Sequence, residues 1–167
     1  MPLVPFAQLP DHARVWVFAA AEPLTGAAAD KLLSGAREFG AAWTAHGQPV
    51  VGGFDWRFDR FLIVAADERA TGVSGCSIDS LFRTLKDVER EVGATLVDAS
   101  PVWFRDSNAA VRSVSRSTFR EMARRGEVQE DTTVFDNTVA TLGALRAGEW
   151  ERPLRASWHG KAFPATG

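Results

Sequence analysis

Tyrosine is absent, cysteine occurs once, at position 76, and only three of the nineteen cationic side chains are lysine. A single cysteine forbids an internal disulfide and excludes a zinc site built from three or four thiolates. It also suits a reducing compartment. Neither sign of charge dominates. Nineteen Lys and Arg stand against twenty-one Asp and Glu, for a net charge of −2, which excludes a strongly basic protein but leaves room for a local basic patch. The sixteen arginines reflect genome composition before they suggest nucleic acid. Long apolar runs are missing too: Val15 to Ala21 is far short of the roughly 20 residues a membrane helix needs. The opening Met1-Pro-Leu-Val-Pro-Phe6 lacks a basic leader and carries prolines at 2, 5 and 10, so it does not read as a secretory signal. The expected location is cytoplasmic, with no membrane partner. The only Gly-Lys pair, Gly160-Lys161, is followed by Ala162, so no phosphate-cradling P-loop is present. Repeats and low-complexity stretches are also lacking.

What is there is an ordinary globular composition, 167 residues with 46% apolar and 24% charged side chains. A chain of this size buries roughly 70% of its unfolded surface without needing staples. Arg14 to Ala19 reads as a buried strand. Pro23 and Thr25 open a helix with Leu32, Ala36, Phe39 and Trp43 at helical spacing, closed by His46-Gly47. Phe54 to Asp59 alternates strictly, with Phe54, Trp56 and Phe58 expected to face the core. Phe61 to Ala66 follows as a continuous apolar strand, pairing with it around Asp59-Arg60. The strongest helix carries Ile78, Leu81, Phe82, Leu85, Val88 and Val92 on one stripe and ends at Gly93. A strand from Thr95 to Val97 is expected to continue, after Pro101, as Val102 to Phe104. This βαββαβ order predicts an α+β fold: a ferredoxin-like split βαβ sandwich, an antiparallel sheet with two helices on one face, over residues 10–104.

Residues 105–167 read as a small β-α-β appendage with an aromatic tail. Val102–Arg105 and Val111–Arg116 form a second hairpin. A short helix from Phe119 ends at Gly126, Thr132–Phe135 is a strand, and Val139–Leu145 makes a helical turn or two. Trp150, Trp158 and Phe163 punctuate the tail.

Two resemblances attach to these stretches. Gly72-Val-Ser-Gly-Cys-Ser-Ile-Asp79, the hairpin before it and the closing Ser157-Trp-His159 resemble a family of small uncharacterised bacterial proteins with an SGCSID motif. Some of its members carry the label "ABC transporter ATPase", an activity the missing P-loop excludes here. The likeness covers nearly the whole chain and implies no established activity. Residues 102–136, through Trp103-Phe-Arg-Asp106, Phe119, Met122, Gly126, Val128, Asp131-Thr132 and Val134-Phe135, are similar to GYF-like adaptor domains. Arg112-Ser113 stands where Gly-Pro commonly precedes the helix, and the Gly-Tyr-Phe signature is absent. The resemblance therefore implies an adaptor's shape rather than its proline-rich ligand.

The sharpest chemical feature is Cys76 at the start of the strongest helix. Unpaired amides and the helix dipole favour a thiolate there. Gly72 and Gly75 permit close backbone approach, and Ser74, Ser77 and Asp79 add polar groups, so these five would form a small-anion or ligand site around a catalytic Cys76. The simpler account makes a serine the N-cap and Cys76 a packed filler. The histidines form no triad in sequence: His46 suits a helix end, His12 is solvent-facing, and His159 could fold back toward Cys76. Asp55 and Asp59 share a strand face, but Arg57 lies between them, which favours ion pairing over a metal. No metal and no cofactor is expected. Arg112 and Arg116 share a strand face, and Arg120 and Arg124 lie one helical turn apart, a stripe able to contact phosphates or a protein partner. Trp150 and Trp158 sit off any periodic face and are expected to anchor a partner. The leading expectation is a non-catalytic binding protein with an unknown protein or peptide partner. A thiol-dependent enzyme or ligand site at Cys76 comes second, and weak single-stranded nucleic-acid binding third.

Overall fold

All six residues of Phe61–Ala66 are buried, which demands apolar cover on both faces of that strand. The computed structural model, which describes residues 3–70, 72–73 and 75–165, supplies helices on one face and a second sheet on the other. Strands β1 (Arg14–Ala19), β4 (Gly52–Arg57) and β5 (Phe61–Ala66) form an antiparallel sheet in the order β1-β5-β4. Arg14 pairs with Ala66 and Ala19 with Phe61 on one side, Gly52 with Ala66 and Arg57 with Phe61 on the other. The two-residue period then sorts the side chains. Phe18, Leu62, Val64 and Ala66 face α1 (Gly26–Ala42) and α2 (Gly75–Val92) through Leu32, Ala36, Leu81, Leu85 and Val88. Val15, Ala19, Phe61, Ile63 and Ala65 pack against Trp103, Phe135, Leu142, Leu145 and Trp150.

The spacing of Leu81, Leu85 and Val88 makes α2 amphipathic. It stops where Gly93 takes φ of +69° and donates its N–H to Glu89 C=O at 2.9 Å, the left-handed C-terminal cap that glycine favours. Between α1 and β4, the short strands β2 (Thr44–Ala45) and β3 (Gln48–Pro49) turn at His46-Gly47, both at positive φ. Those residues therefore make a hairpin rather than the helix end expected.

The second sheet holds β6 (Val102–Arg105), β7 (Val111–Val114), β8 (Thr133–Phe135) and β9 (Glu151–Pro153) in the order β7-β6-β8-β9. Helix α3 (Arg116–Arg124) begins at Ser115, whose hydroxyl accepts from Thr118 N–H at 3.1 Å, a standard N-cap. Phe119 and Ala123 of α3 pack with Phe104, Val134, Leu154 and Phe163 on the sheet's far side. Two short helices complete the chain, α4 (Leu142–Arg146) and α5 (His159–Ala162). The layers are fastened at the end of β1. Trp103 Nε1 donates to Ala20 C=O at 3.0 Å, Ser113 Oγ to Ala21 C=O at 2.7 Å, and the buried Arg60 guanidinium to Ala21 and Val111 carbonyls at 2.8 and 3.0 Å. Burial lowers the Arg60 pKa, with Glu22 opposing the shift.

The fold is thus mixed α+β with antiparallel sheets, and none of the described helices is long and apolar enough to cross a membrane. Three further expectations change. Thr95–Val97 forms no strand. Among the described residues, Val102–Arg105 pairs with β7 and β8, so it belongs to the second sheet rather than extending the first. Phe58 does not face the core from a strand. It sits in the turn closed by Arg60 N–H donating to Arg57 C=O at 3.1 Å, where Phe58 and Asp59 take φ of +58° and +55°.

Candidate functional site

Gly72, Gly75, Cys76 and Asp79 are exposed at the start of α2, and Ser74 lies outside the described residues. Ser77 is buried, with its carbonyl accepting the Trp43 indole N–H at 3.0 Å. Ser80 Oγ donates to the Cys76 carbonyl at 3.0 Å. Among the described residues, no three His, Cys, Asp or Glu side chains gather as metal ligands.

The arginine stripe is engaged with the chain's own rings and carboxylates. The Arg112, Arg116 and Arg120 guanidinium carbons lie 5.7, 5.6 and 5.3 Å from the ring centroids of Phe104, Trp158 and Phe163. Arg124 bonds Glu121 at 2.8 Å. Such stacking is favourable and holds each charge against the surface.

Trp150 is not a surface anchor. It is only 3% exposed, packed among Phe58, Phe61 and Phe135, and its Nε1 donates to Asn137 Oδ1 at 2.8 Å. Its burial follows from filling the space between the two sheets, which sequence periodicity does not register. Trp158, by contrast, is 37% exposed.

Trp158 borders the most suggestive concave surface, a groove of about 400 Å³ along the outer edge of β1. The pairing register shows which backbone groups point there. Ala20 N–H donates to Arg60 C=O, so even-numbered residues of β1 turn their amides and carbonyls toward β5 and odd-numbered ones turn theirs outward. Outward groups are paired at both ends: Val15 N–H with Ala140 C=O at 2.9 Å, and Ala21 N–H with Thr95 C=O at 3.3 Å. Between them, among the described residues, no strand lies against β1, so the N–H and C=O groups of Val17 and Ala19 face the groove. Leu96, Val97 and Phe82 form one wall, and Phe135, Val139, Trp158 and His159 another. Phe82, assigned to the core stripe by its spacing, is 37% exposed and meets Phe18 edge-on at 5.3 Å.

Charges at the groove are internally balanced. Arg14 reaches Glu68 at 3.3 Å and lies over the Trp16 ring at 4.8 Å. Hydrogen bonds from Ser100 hold the Asp98 carboxyl below its usual range, with Arg116 adding to the effect. His159 is buried under Trp158, ring centroids 3.8 Å apart, and shares a 2.6 Å hydrogen bond with Ser157 Oγ. Desolvation, with a further push from Arg116, lowers its pKa to about 4 against the pull of Asp136. Ser157 and His159 are two residues apart, both buried, and the His159 N–H also points to Ser157 Oγ at 3.4 Å, the pattern of a local turn rather than an exposed nucleophile and base.

A second, wider cleft of about 890 Å³ lies between β6 and α3. Arg112 and Arg125 face Glu121, Glu127 and Asp131 there, a mixed polar lining that singles out no ligand. Comparison with known proteins adds no constraint: no family model matches the chain, and no curated protein and no solved structure matches it significantly.

Proposed function

We propose that the chain is a non-catalytic interaction protein that receives a segment of a partner protein in the groove beside β1. One observation carries this reading. Two of the three exposed large apolar side chains among the described residues, Phe82 and Trp158, flank that groove, and the third, Phe58, covers the cluster around Trp150. Aromatic side chains at the rim of a concave apolar surface are the usual anchors of a protein interface. The order β1-β5-β4 with α1 and α2 on one face supports a ferredoxin-like reading of the first unit, with the place beside β1 left open. The β-β-α-β run from β6 to β8 likewise supports an adaptor-like second unit. A reducing, cytoplasmic setting belongs to the same proposal, since the exposed Cys76 persists there as a thiol.

A photo-crosslinking residue placed at Phe82 or Trp158 in cells tests this directly, with Arg37 on the outer side of α1 as control. Discrete protein adducts from positions 82 and 158 that are missing from position 37 are expected. Identical adducts at all three positions, or none at 82 and 158, would overturn the proposal.

A further inference from the structure

Resting on that reading, we infer that the partner binds by strand addition: an extended, aliphatic segment of about four residues pairs its backbone with Val17 and Ala19 of β1. Three features of the edge lead there. First, the unmet groups are backbone groups at alternate residues, and an extended chain is the ligand that offers matching donors and acceptors at that spacing. Second, the open length is bounded. Val15 and Ala21 are already bonded to Ala140 and Thr95, and the six steps between them span about 20 Å at the usual strand rise. That leaves room for roughly four residues once both ends are excluded. Third, the groove offers apolar side chains on both sides, Phe82 and Leu96 on the helical side and Phe135 and Val139 on the side of the second sheet, with Arg14, Asp98, Arg116 and Asn137 also in its lining. A strand inserted there turns alternate side chains into each wall, so every position prefers an aliphatic residue. The fully buried β5, Phe-Leu-Ile-Val-Ala-Ala, satisfies the same two-sided requirement one strand away.

A second copy of the chain does not fit as the occupant. The segments carrying Ala140 and Thr95 both stand against the outer edge of β1, so β1 is recessed between them. Two recessed edges cannot approach to hydrogen-bonding distance, whereas a free extended segment can.

The test uses the full chain and a library of capped hexapeptides, Lys-X-X-X-X-Lys, with X drawn from Val, Ile, Leu, Ala, Thr, Ser and Asp. Members with aliphatic residues at all four X positions should be retained, and each should slow amide exchange at Val17 and Ala19 tenfold or more. Val17→Pro removes the outward N–H without removing a bond to β5, and proline is tolerated at an edge position of this kind. It should weaken binding at least tenfold, whereas Val17→Ala, which keeps the amide, should not. N-methylation of alternate peptide amides should do the same. A thermal melt confirms that both variants fold. If Val17→Pro unfolds the chain, the N-methylated peptides carry the same decision. Peptides that bind equally well to Val17→Pro and after N-methylation would overturn strand addition while leaving the interaction reading intact. Retention of no library member would overturn strand addition outright. The interaction reading would then stand or fall on the crosslinks from positions 82 and 158.

Discussion

Truncating Trp150 and Trp158 to alanine should separate two tryptophans that look alike in the sequence. The Trp150 ring lies 5.0 Å from Phe61, 5.1 Å from Phe135 and 6.1 Å from Phe58, and the Arg57 guanidinium carbon is 5.6 Å from its centroid. Removing a buried aromatic side chain typically costs about 3–5 kcal/mol, because the contacts are lost and the cavity collapses only in part. Loss of the indole donor also strands Asn137 Oδ1, a further contribution of about 1 kcal/mol. With a urea m-value of about 2 kcal/mol per molar, Trp150→Ala should lower the denaturation midpoint by roughly 2–3 M. That is a large part of the 5–15 kcal/mol by which domains of this kind are usually stable, on the order given for native proteins generally. Trp158 stacks on His159 but is 37% exposed, so its truncation should cost about 1 kcal/mol, on the scale of an aromatic pair. Far-UV circular dichroism is the proper readout, since fluorescence itself changes when a tryptophan is removed. Equal midpoint shifts, or a larger shift for Trp158→Ala, would refute the assignment of Trp150 to the core and Trp158 to the surface.

His159 predicts a pH dependence. Its pKa is about 4 in the folded chain against an ordinary 6.5, so the unfolded chain takes up the proton first. Stability is therefore full above pH 6.5 and declines as the pH falls toward 4, by at most about 3 kcal/mol at 1.36 kcal/mol per unit. His159→Gln should flatten urea midpoints measured between pH 4 and 7, and an unchanged acid slope would count against the buried neutral imidazole. At Phe58, the ring contributes packing while the backbone sits at φ of +58°, a region that costs a bulky L-residue about 1–2 kcal/mol. Phe58→Gly should therefore be more stable than Phe58→Ala by about 1 kcal/mol, and the reverse order would show that the turn is unstrained. Cys76 is exposed, so a maleimide should label one thiol per folded chain about as fast as in denaturant. Protection until unfolding would place that thiol in the core.

The parts of this fold legible in the sequence are those fixed by local period. The continuous apolar run of β5 and the stripe Leu81, Leu85, Val88 of α2 have one sensible arrangement each, and burial follows the pattern. Trp150 escaped that logic because its partners come from elsewhere in the chain, Phe58 and Phe61 from the β4–β5 hairpin and Phe135 from β8. Nothing in its own neighbourhood marks it as buried. Val102–Arg105 escaped for a different reason. A short apolar strand suits either sheet, and the choice was made by its hairpin with β7 and by the Trp103 indole bond to Ala20.

That choice also accounts for the groove. Once β6 is committed to the second sheet, residues 93–101 must cross from the end of α2 to the other layer, and on the way the Thr95 carbonyl accepts a backbone hydrogen bond from Ala21, just past the end of β1. The opposite end of the edge is capped by Ala140, which arrives from the second unit. Val17 and Ala19 are left between two anchors, facing a space walled by both layers. An unpaired edge is an aggregation liability unless it is short, recessed or used. This one is short and recessed between its two anchors, which protects it from broad edge-to-edge association while leaving it open to a single extended segment. The sequence could not reveal the site because an unpaired edge is a property of topology, not of Val17 or Ala19.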